Sequence, residues 1–306
     1  MSLKKKIHKL LHPQSAIADT IHSVVHNECQ NVIFQIRKNE LQELALHSTD
    51  LGITKERICN EEIVVSLTTF GGRLFDAYIA VESIMQGSVK PNRIVMWISE
   101  NFKNIPLPLT LQNQMKRGLE IRYCRDIRSY TKLIYSLKEF PKASIITVDD
   151  DIIYPQDTIE NLLNAHALHP KAICANVLKP IPDDFKKDFK SFADMWISEK
   201  HYAVYDRYVQ EGYSGVLYPP HSLHEEVFNE DVFMSICKYA DDIWFGAMAM
   251  LNHTKCVNAH PHPYFFGYVN NPDVQSIALQ KVNAQGEQLN EKQFKEVFSK
   301  YNLIQM

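Results

Sequence analysis

The feature that most constrains this chain is an apolar segment that ends in three consecutive carboxylates. Residues 144–148 read Ser-Ile-Ile-Thr-Val, a pattern typical of a buried strand, and Asp149, Asp150 and Asp151 follow directly. Adjacent carboxylates repel one another and are costly near a core unless a positive group lies there. Asp oxygens suit hard cations such as Mg²⁺ or Mn²⁺, so the sequence favours a metal or phosphate site over a solvated acidic turn.

Strand and helix patterns alternate ahead of this segment. The predicted strands cover residues 62–69, 93–98 and 119–123, and the predicted helices cover residues 74–85, 109–117 and 131–140. Such alternation predicts an α/β fold in which helices flank a mostly parallel sheet. Since ligands of these sheets bind beyond the carboxyl ends of the strands, we expect the glycine turn at residues 70–73 and the Asp triplet to face one crevice.

The second half of the chain is less regular. It contains predicted helices at residues 158–167, 225–239 and 243–251 and short predicted strands at residues 172–177, 212–220 and 256–258. Between them, residues 180–213 form a polar, aromatic-rich stretch without clear periodicity, a composition typical of a binding loop.

A second acidic motif, Asp241-Asp242, precedes the apolar helix at residues 243–251. One Asp at that place is expected as a simple N-cap, because a side-chain oxygen there accepts a bond from the first turn of the helix. We expect the other carboxylate to face the crevice.

Two histidines follow the last predicted strand. His260 and His262 are separated by one residue, so in an extended segment both rings point the same way. Histidine is a common metal ligand, and the pair is a candidate to complete a metal site with Asp149 and Asp151.

Composition excludes several classes of protein. The chain has 306 residues, 45% of them hydrophobic and 23% charged, which is a globular composition. The formal net charge of −3 provides no bulk attraction to nucleic acid. The six cysteines are scattered without a C-x-x-C pair, so free thiols and a cytoplasmic location are expected. We find no apolar run long enough to span a bilayer and no signal-peptide pattern.

The ends of the chain differ from its centre. Helical periodicity over residues 15–47 predicts a helical N-terminal extension (residues 1–60), followed by a catalytic domain (residues 61–265) and a C-terminal tail with one helix (residues 266–306). At the start of the extension, lysines precede apolar residues at helical spacing: Lys4, Lys5, Lys6, Ile7, Leu10 and Leu11. This pattern is typical either of peripheral contact with an anionic membrane or of a solvated helix.

Three of these segments together resemble the nucleotide-sugar-dependent glycosyltransferases of the GT-A fold, in particular the bacterial family-2-like enzymes that build surface polysaccharides. Residues 64–70 with Arg73 are similar to the opening strand that cradles the nucleotide. The Asp triplet is similar to the D-x-D metal motif, and Asp241-Asp242 is placed like the acidic pair that supplies the catalytic base in inverting members. The resemblance covers roughly residues 61–265.

The resemblance implies a Rossmann-like GT-A fold, a metal cofactor (Mn²⁺ or Mg²⁺) and a nucleotide-sugar donor, with a UDP-sugar as the default donor. It implies transfer to a hydroxyl group of a glycan or lipid-linked acceptor in capsule or lipopolysaccharide synthesis. The implied metal ligands are Asp149, Asp151, His260 and His262. The implied donor-binding residues are Thr68, Phe70, Arg73, Lys132, Asp149 and Asp150. Asp242 or Asp241 is the implied base of an inverting reaction; if neither reaches the crevice, a retaining mechanism becomes plausible.

Two other functions use the same residues. A metal-dependent phosphohydrolase or nucleotidyltransferase would employ the acids with further ligands, for which a second cluster is available at His221, His224, Glu225 and Glu226. A non-catalytic carbohydrate-binding protein would use the acids for a structural ion. Nucleotide binding separates a transferase from a lectin-like module, and the need for an acceptor separates it from a hydrolase.

The basic N-terminal segment generates a first prediction. If residues 4–11 contact anionic lipid, deleting residues 1–12 reduces co-flotation with anionic vesicles, and neutral vesicles serve as the control. Equal flotation of the full chain and the shortened chain on anionic vesicles would exclude membrane contact through this segment.

Overall fold

The computed structural model describes residues 13–182, 195–261, 269–272 and 289–303. The basic segment at residues 4–11 and the predicted metal ligand His262 lie outside these residues.

Strands and helices alternate through the first half of the chain. The elements are α1 (Pro13–His47), β1 (Ile63–Thr69), α2 (Tyr78–Met85), β2 (Arg93–Ser99), α3 (Leu109–Lys116), β3 (Leu119–Cys124), α4 (Thr131–Glu139) and β4 (Ser144–Thr147). β1, β2 and β4 are mostly apolar and almost wholly buried, because both faces of a parallel sheet are covered by helices.

The second half contains shorter strands and ends in a helix. The elements are β5 (Ile152–Ile153), α5 (Thr158–Leu168), β6 (Ile173–Ala175), β7 (Leu178–Pro180), β8 (Val204–Tyr205), β9 (Tyr208–Gln210), β10 (Val216–Tyr218), α6 (Glu230–Ile236), α7 (Asp241–Leu251), β11 (Cys256–Asn258), β12 (Val269–Asn270) and α8 (Leu289–Lys300).

The central sheet of the described residues has the strand order β3-β2-β1-β4-β10-β6-β11-β8. β1 pairs in parallel with β2 and β4, whereas β10 runs antiparallel to both β4 and β6. The predicted fold class, a Rossmann-like α/β fold with a mostly parallel sheet between helices, is confirmed, and the sheet is consistent with a GT-A architecture. Because β1 and β4 are neighbours, the segments that follow them meet at the carboxyl edge of the sheet.

Two predicted helices are interrupted. The helix expected at residues 74–85 is a 3₁₀ turn at Gly71–Phe75 followed by α2, with Gly71 in the left-handed conformation that glycine tolerates (φ +58°). The helix expected at residues 225–239 is a short 3₁₀ turn followed by α6. Asn229 causes this break, because its side-chain oxygen accepts a hydrogen bond from the Val232 N–H (3.3 Å) and caps a new helix.

Both terminal helices pack on the sheet domain. α1 lies against α2 and α3 and buries Phe34, Leu41 and Ala45 in the hydrophobic core on one side of the sheet. α8 lies against α6 and α7 and buries Phe294 and Phe298 in the core on the other side. Among the described residues, no helix combines the length and apolar character needed to cross a membrane.

A buried ion pair joins α1 and the following segment to the sheet domain. The two terminal nitrogens of the Arg117 guanidinium contact the Glu82 carboxylate, at 2.8 and 2.9 Å, and both side chains are buried. The same guanidinium donates to the backbone carbonyl oxygens of Asp50 (2.6 Å) and Leu44 (3.3 Å). Gln114 also donates to Glu82 (2.8 Å), so each partner of the pair is held by further hydrogen bonds.

We expect Glu82→Ala to lower the free energy of unfolding by about 3–5 kcal/mol, because it leaves the buried Arg117 charge without its partner. Urea denaturation followed by circular dichroism measures the change. Glu40→Ala is the control: Glu40 pairs with Arg37 on the exposed face of α1, and its removal should cost about 0–1 kcal/mol. Similar losses for the two variants would contradict the assigned role of the buried pair.

Candidate active site

The Asp triplet follows β4 after one intervening residue, at the carboxyl edge of the sheet. The Val148 N–H still donates to the Ser66 carbonyl of β1 (3.0 Å), and the Asp149 N–H donates to the hydroxyl of Tyr154 (2.7 Å). That hydroxyl in turn donates to the backbone carbonyl of Tyr213 (2.8 Å). These hydrogen bonds fix the backbone at the start of the triplet.

Arg73 compensates two of the three carboxylates. Its guanidinium forms an ion pair with Asp150 and a second one with Asp151 at 2.9 Å. Arg73 lies in the 3₁₀ turn after β1, the strand next to β4, so the sheet order brings these residues together. The exposed ring of Phe70 lies beside the same guanidinium, with 5.6 Å between the Arg73 Cζ and the ring centroid.

Lys132 compensates the third carboxylate and joins the two acidic motifs. Its Nζ lies 2.6 Å from Asp149 Oδ1 and 3.5 Å from Asp241 Oδ2. Lys132 belongs to α4 and only 5% of its side chain is exposed. Asp149 and Asp241 are far apart in the sequence, yet one buried ammonium group contacts both.

The second acidic motif is in the first turn of α7, which begins at Asp241. The N-cap position belongs to Ala240, and no side chain caps the helix, so the prediction that one Asp is the N-cap is wrong. Asp242 instead accepts a hydrogen bond from the Gly212 N–H (2.9 Å). A Cβ at residue 212 would lie 2.5 Å from Asp242 Oδ1, so this close approach requires glycine.

The turn that contains Gly212 reaches the site because of the direction of β10. The turn spans Gly212–Ser214 and immediately precedes β10, which runs antiparallel to β4. The beginning of β10 therefore lies at the same edge as the end of β4. This places Gly212 beside Asp242 and the Tyr213 carbonyl beside Tyr154.

Burial dominates the protonation behaviour of the carboxylates. Burial raises the pKa of Asp151 to about 7, and the charge of Asp149 adds to the rise while Arg73 opposes it. Burial also raises the pKa of Asp150 and, well above its usual range, that of Asp242. For Lys132, burial lowers the pKa, but the charges of Asp149, Asp241 and Asp242 outweigh it and hold the pKa well above the usual value. Lys132 is therefore charged at neutral pH.

Other residues predicted for the site are placed differently. The Thr68 hydroxyl donates to the Trp97 carbonyl of β2 (3.0 Å), so it bonds within the sheet. His260 is buried two residues after the end of β11. Within the described parts of the chain, His260 does not form a three-ligand group with Asp149 and Asp151, so the metal role of this set stays a prediction.

Sequence reasoning missed Tyr154 and Gly212. Tyr154 lies in the Ile-Ile-Tyr-Pro segment that follows the triplet, and a buried tyrosine generally needs a partner for its hydroxyl. Gly212 opens a glycine-bounded turn. Both signals are in the sequence, but they indicate a special environment without identifying the acidic residues involved.

No family model matches the chain, and a search of curated protein sequences gives no match. A mannosyltransferase from Pyrobaculum calidifontis, solved with GDP-Man and Mn²⁺, is 14% identical, with a TM-score of 0.33 over 56% of this chain and 49% of that one. A CMP-2-keto-3-deoxy-manno-octonic acid synthetase complexed with CTP is 9% identical, with a TM-score of 0.39 over 64% of this chain and 88% of that one.

A 4-diphosphocytidyl-2C-methyl-D-erythritol synthase from Anaerococcus prevotii is 14% identical, with a TM-score of 0.34 over 57% of this chain and 76% of that one. The chain spans about half the length of the mannosyltransferase structure. These identities and TM-scores are too low to support a shared activity, so function has to be argued from the site.

The raised pKa of Asp151 predicts a pH-dependent stability. Native Asp151 keeps its proton up to about pH 7, whereas an unfolded Asp releases it near pH 4. The native state therefore binds more protons between these values, and the contribution of Asp151 to the free energy of unfolding falls as the pH rises from about 4 to about 7. In chelator-treated protein, the melting temperature of Asp151→Asn should therefore rise relative to that of the wild type as the pH increases from about 4 to about 7.

The exposed Asp206, which pairs with Lys255 at the surface, provides the control variant Asp206→Asn. Its melting temperature should follow the wild type at every pH. A constant offset between Asp151→Asn and the wild type, without a pH trend, would contradict the raised pKa.

Proposed function

We propose that this chain is a metal-dependent glycosyltransferase that moves a sugar from a nucleotide-diphosphate donor to a hydroxyl group of a glycan or lipid-linked acceptor. The observation that supports it best is the contact of Lys132 with both Asp149 and Asp241. It joins the carboxylates after β4 to the acidic start of α7 at the carboxyl edge of the sheet. A transferase of this kind needs both parts, one for the donor phosphates and one for the acceptor hydroxyl.

The donor side of the site combines carboxylates with fixed positive charges. Asp149 and Asp151 would hold Mn²⁺ or Mg²⁺, because their oxygens suit hard cations. A bound metal would stabilise the charge of the departing diphosphate. Arg73 and Lys132 contact these carboxylates. We propose that both also interact with the anionic donor.

The exposed ring of Phe70 offers a flat surface beside Arg73, which suits stacking with a nucleobase. Thr68 can contact the donor only if its hydroxyl gives up its hydrogen bond to the Trp97 carbonyl. We propose a UDP-sugar as the donor. His260 and His262 remain proposed as further metal ligands.

On the acceptor side we assign the general base to Asp242. Asp241 is buried against Lys132, whereas Asp242 stays partly exposed and is oriented by the Gly212 N–H. The raised pKa of Asp242 makes its carboxylate a stronger base than a solvated Asp, which suits proton abstraction from an acceptor hydroxyl. This assignment corresponds to an inverting reaction.

The biological setting is part of the same proposal. We place the enzyme in the cytoplasm, at the membrane face through residues 4–11, in the synthesis of capsule or lipopolysaccharide. The alternative, a metal-dependent phosphohydrolase or nucleotidyltransferase, would use the acids with further metal ligands. In the described residues, His221, His224, Glu225 and Glu226 do not form the three-ligand group that a second metal would require.

A thermal-shift panel tests the donor site. We expect one of UDP, GDP, CDP and CMP, with UDP as the first candidate, to raise the melting temperature in the presence of Mn²⁺ and not in its absence, since a ligand that binds the native state stabilises it by mass action. Asp151→Ala should abolish the shift, and Asp206→Asn should retain it.

Asp242→Asn separates binding from chemistry. It should keep the nucleotide-dependent shift while reducing turnover of the cognate donor by about 10²–10⁴-fold, the range lost with a general base. A shift that survives in Asp151→Ala, or the absence of a shift with every nucleotide, would count against the proposed transferase.

A further inference from the structure

A second group of metal-binding side chains lies away from the acidic site. Cys59, Glu61 and His166 offer a sulfur, an oxygen and a nitrogen atom that all lie within 4.8 Å of one another. Glu61 lies two residues before the start of β1, and His166 lies in the last turn of α5. Because a strand rises about 3.3 Å per residue, the start of β1 is about 20 Å from its carboxyl end. The group is therefore separate from the acidic site.

The spacing of these atoms suits one small ion. The distance between His166 Nε2 and Glu61 Oε2 is 3.4 Å. Two such ligands of one tetrahedral zinc ion, each bound at about 2.0–2.1 Å, are separated by about 3.3–3.4 Å. The Cys59 thiol lies on the same side, where it donates to the Glu61 backbone carbonyl (3.2 Å).

In the described residues, the charge of Glu61 is not balanced by a lysine or an arginine. Throughout the part of the chain that the structure describes, no Lys or Arg forms an ion pair with Glu61, whereas the neighbouring Glu62 pairs with Arg93 (2.7 Å). The carboxylate of Glu61 instead faces the imidazole of His166, of which only 4% is exposed. This differs from the Asp triplet, where Arg73 and Lys132 compensate the carboxylates.

We propose that Cys59, Glu61 and His166 bind Zn²⁺, with a water molecule as the fourth ligand. A thiolate, an imidazole and a carboxylate together select zinc over Mg²⁺ or Mn²⁺, which prefer oxygen ligands. Cys59 and Glu61 are partly exposed, so water and the ion can reach the group. On binding, the thiol releases its proton to solvent and exchanges its bond to the Glu61 carbonyl for a bond to the metal.

The zinc ion connects two parts of the chain that are distant in sequence. Residues 48–62, between α1 and β1, contain no helix or strand, and His166 belongs to a helix that packs on the sheet. Zinc would fix this segment to α5 at the edge opposite the acidic site. The resulting stabilisation follows from mass action and does not depend on catalysis.

Titration of the chelator-treated full chain with Co²⁺ tests the proposal, because a thiolate ligand produces a charge-transfer absorption band that oxygen ligands do not. We expect this band in the wild type and its displacement by Zn²⁺. Cys59→Ser should abolish the band, and His166→Asn should weaken Co²⁺ binding at least about tenfold. If His166→Asn does not fold, Glu61→Gln takes its place.

Two controls isolate the site. Cys29→Ser removes an exposed thiol of α1, and Asp151→Asn alters the acidic site; both should keep the band. No band in the wild type, or a band that persists in Cys59→Ser, would overturn the proposal. These outcomes are independent of nucleotide binding, so they distinguish a failed zinc site from a failed assignment of the transferase.

Discussion

Charge compensation at the carboxyl edge of the sheet is the constraint on which the candidate site depends. β4 is buried between β1 and β10 and ends in three carboxylates that would repel one another if left alone. Arg73 meets two of them, and Lys132 meets the third together with Asp241. The cations come from the turn after β1 and from α4, so the strand order is what makes an acidic cluster compatible with a core.

The arrangement of residues at this edge also depends on the direction of β10, which is antiparallel to β4. Because β10 runs opposite to β4, its preceding turn reaches the acids, and its backbone N–H and carbonyl groups orient Asp242 and Tyr154. At the opposite edge, Cys59, Glu61 and His166 form a group with different chemistry. If both proposed sites bind metal, oxygen ligands at one edge favour Mn²⁺ or Mg²⁺, and mixed sulfur, nitrogen and oxygen ligands at the other favour Zn²⁺.

Pattern reasoning succeeded where one physical term dominates. The strands β1, β2 and β4 are almost continuous apolar runs, and burial on both faces permits little else. It failed where local hydrogen bonds decide where a helix begins. Asn229 splits a predicted helix by capping a new one, and Ala240 occupies the N-cap position that was expected for one of Asp241 and Asp242. Sequence patterns also could not predict that Lys132 contacts Asp149 and Asp241. An exposed lysine and a buried lysine that bridges two carboxylates can have the same local sequence.

The sequence by itself determined the alternation of strands and helices, the α/β class and the position of the Asp triplet at the end of a central strand, because hydrophobic periodicity and β-branched composition act over a few neighbouring residues. Only the tertiary structure decided which cation meets which carboxylate, that Asp241 and Asp149 share Lys132, and that a thiol, a carboxylate and an imidazole gather at the opposite edge. These contacts join residues distant in the chain, and their geometry follows from strand order and direction, which no local pattern encodes.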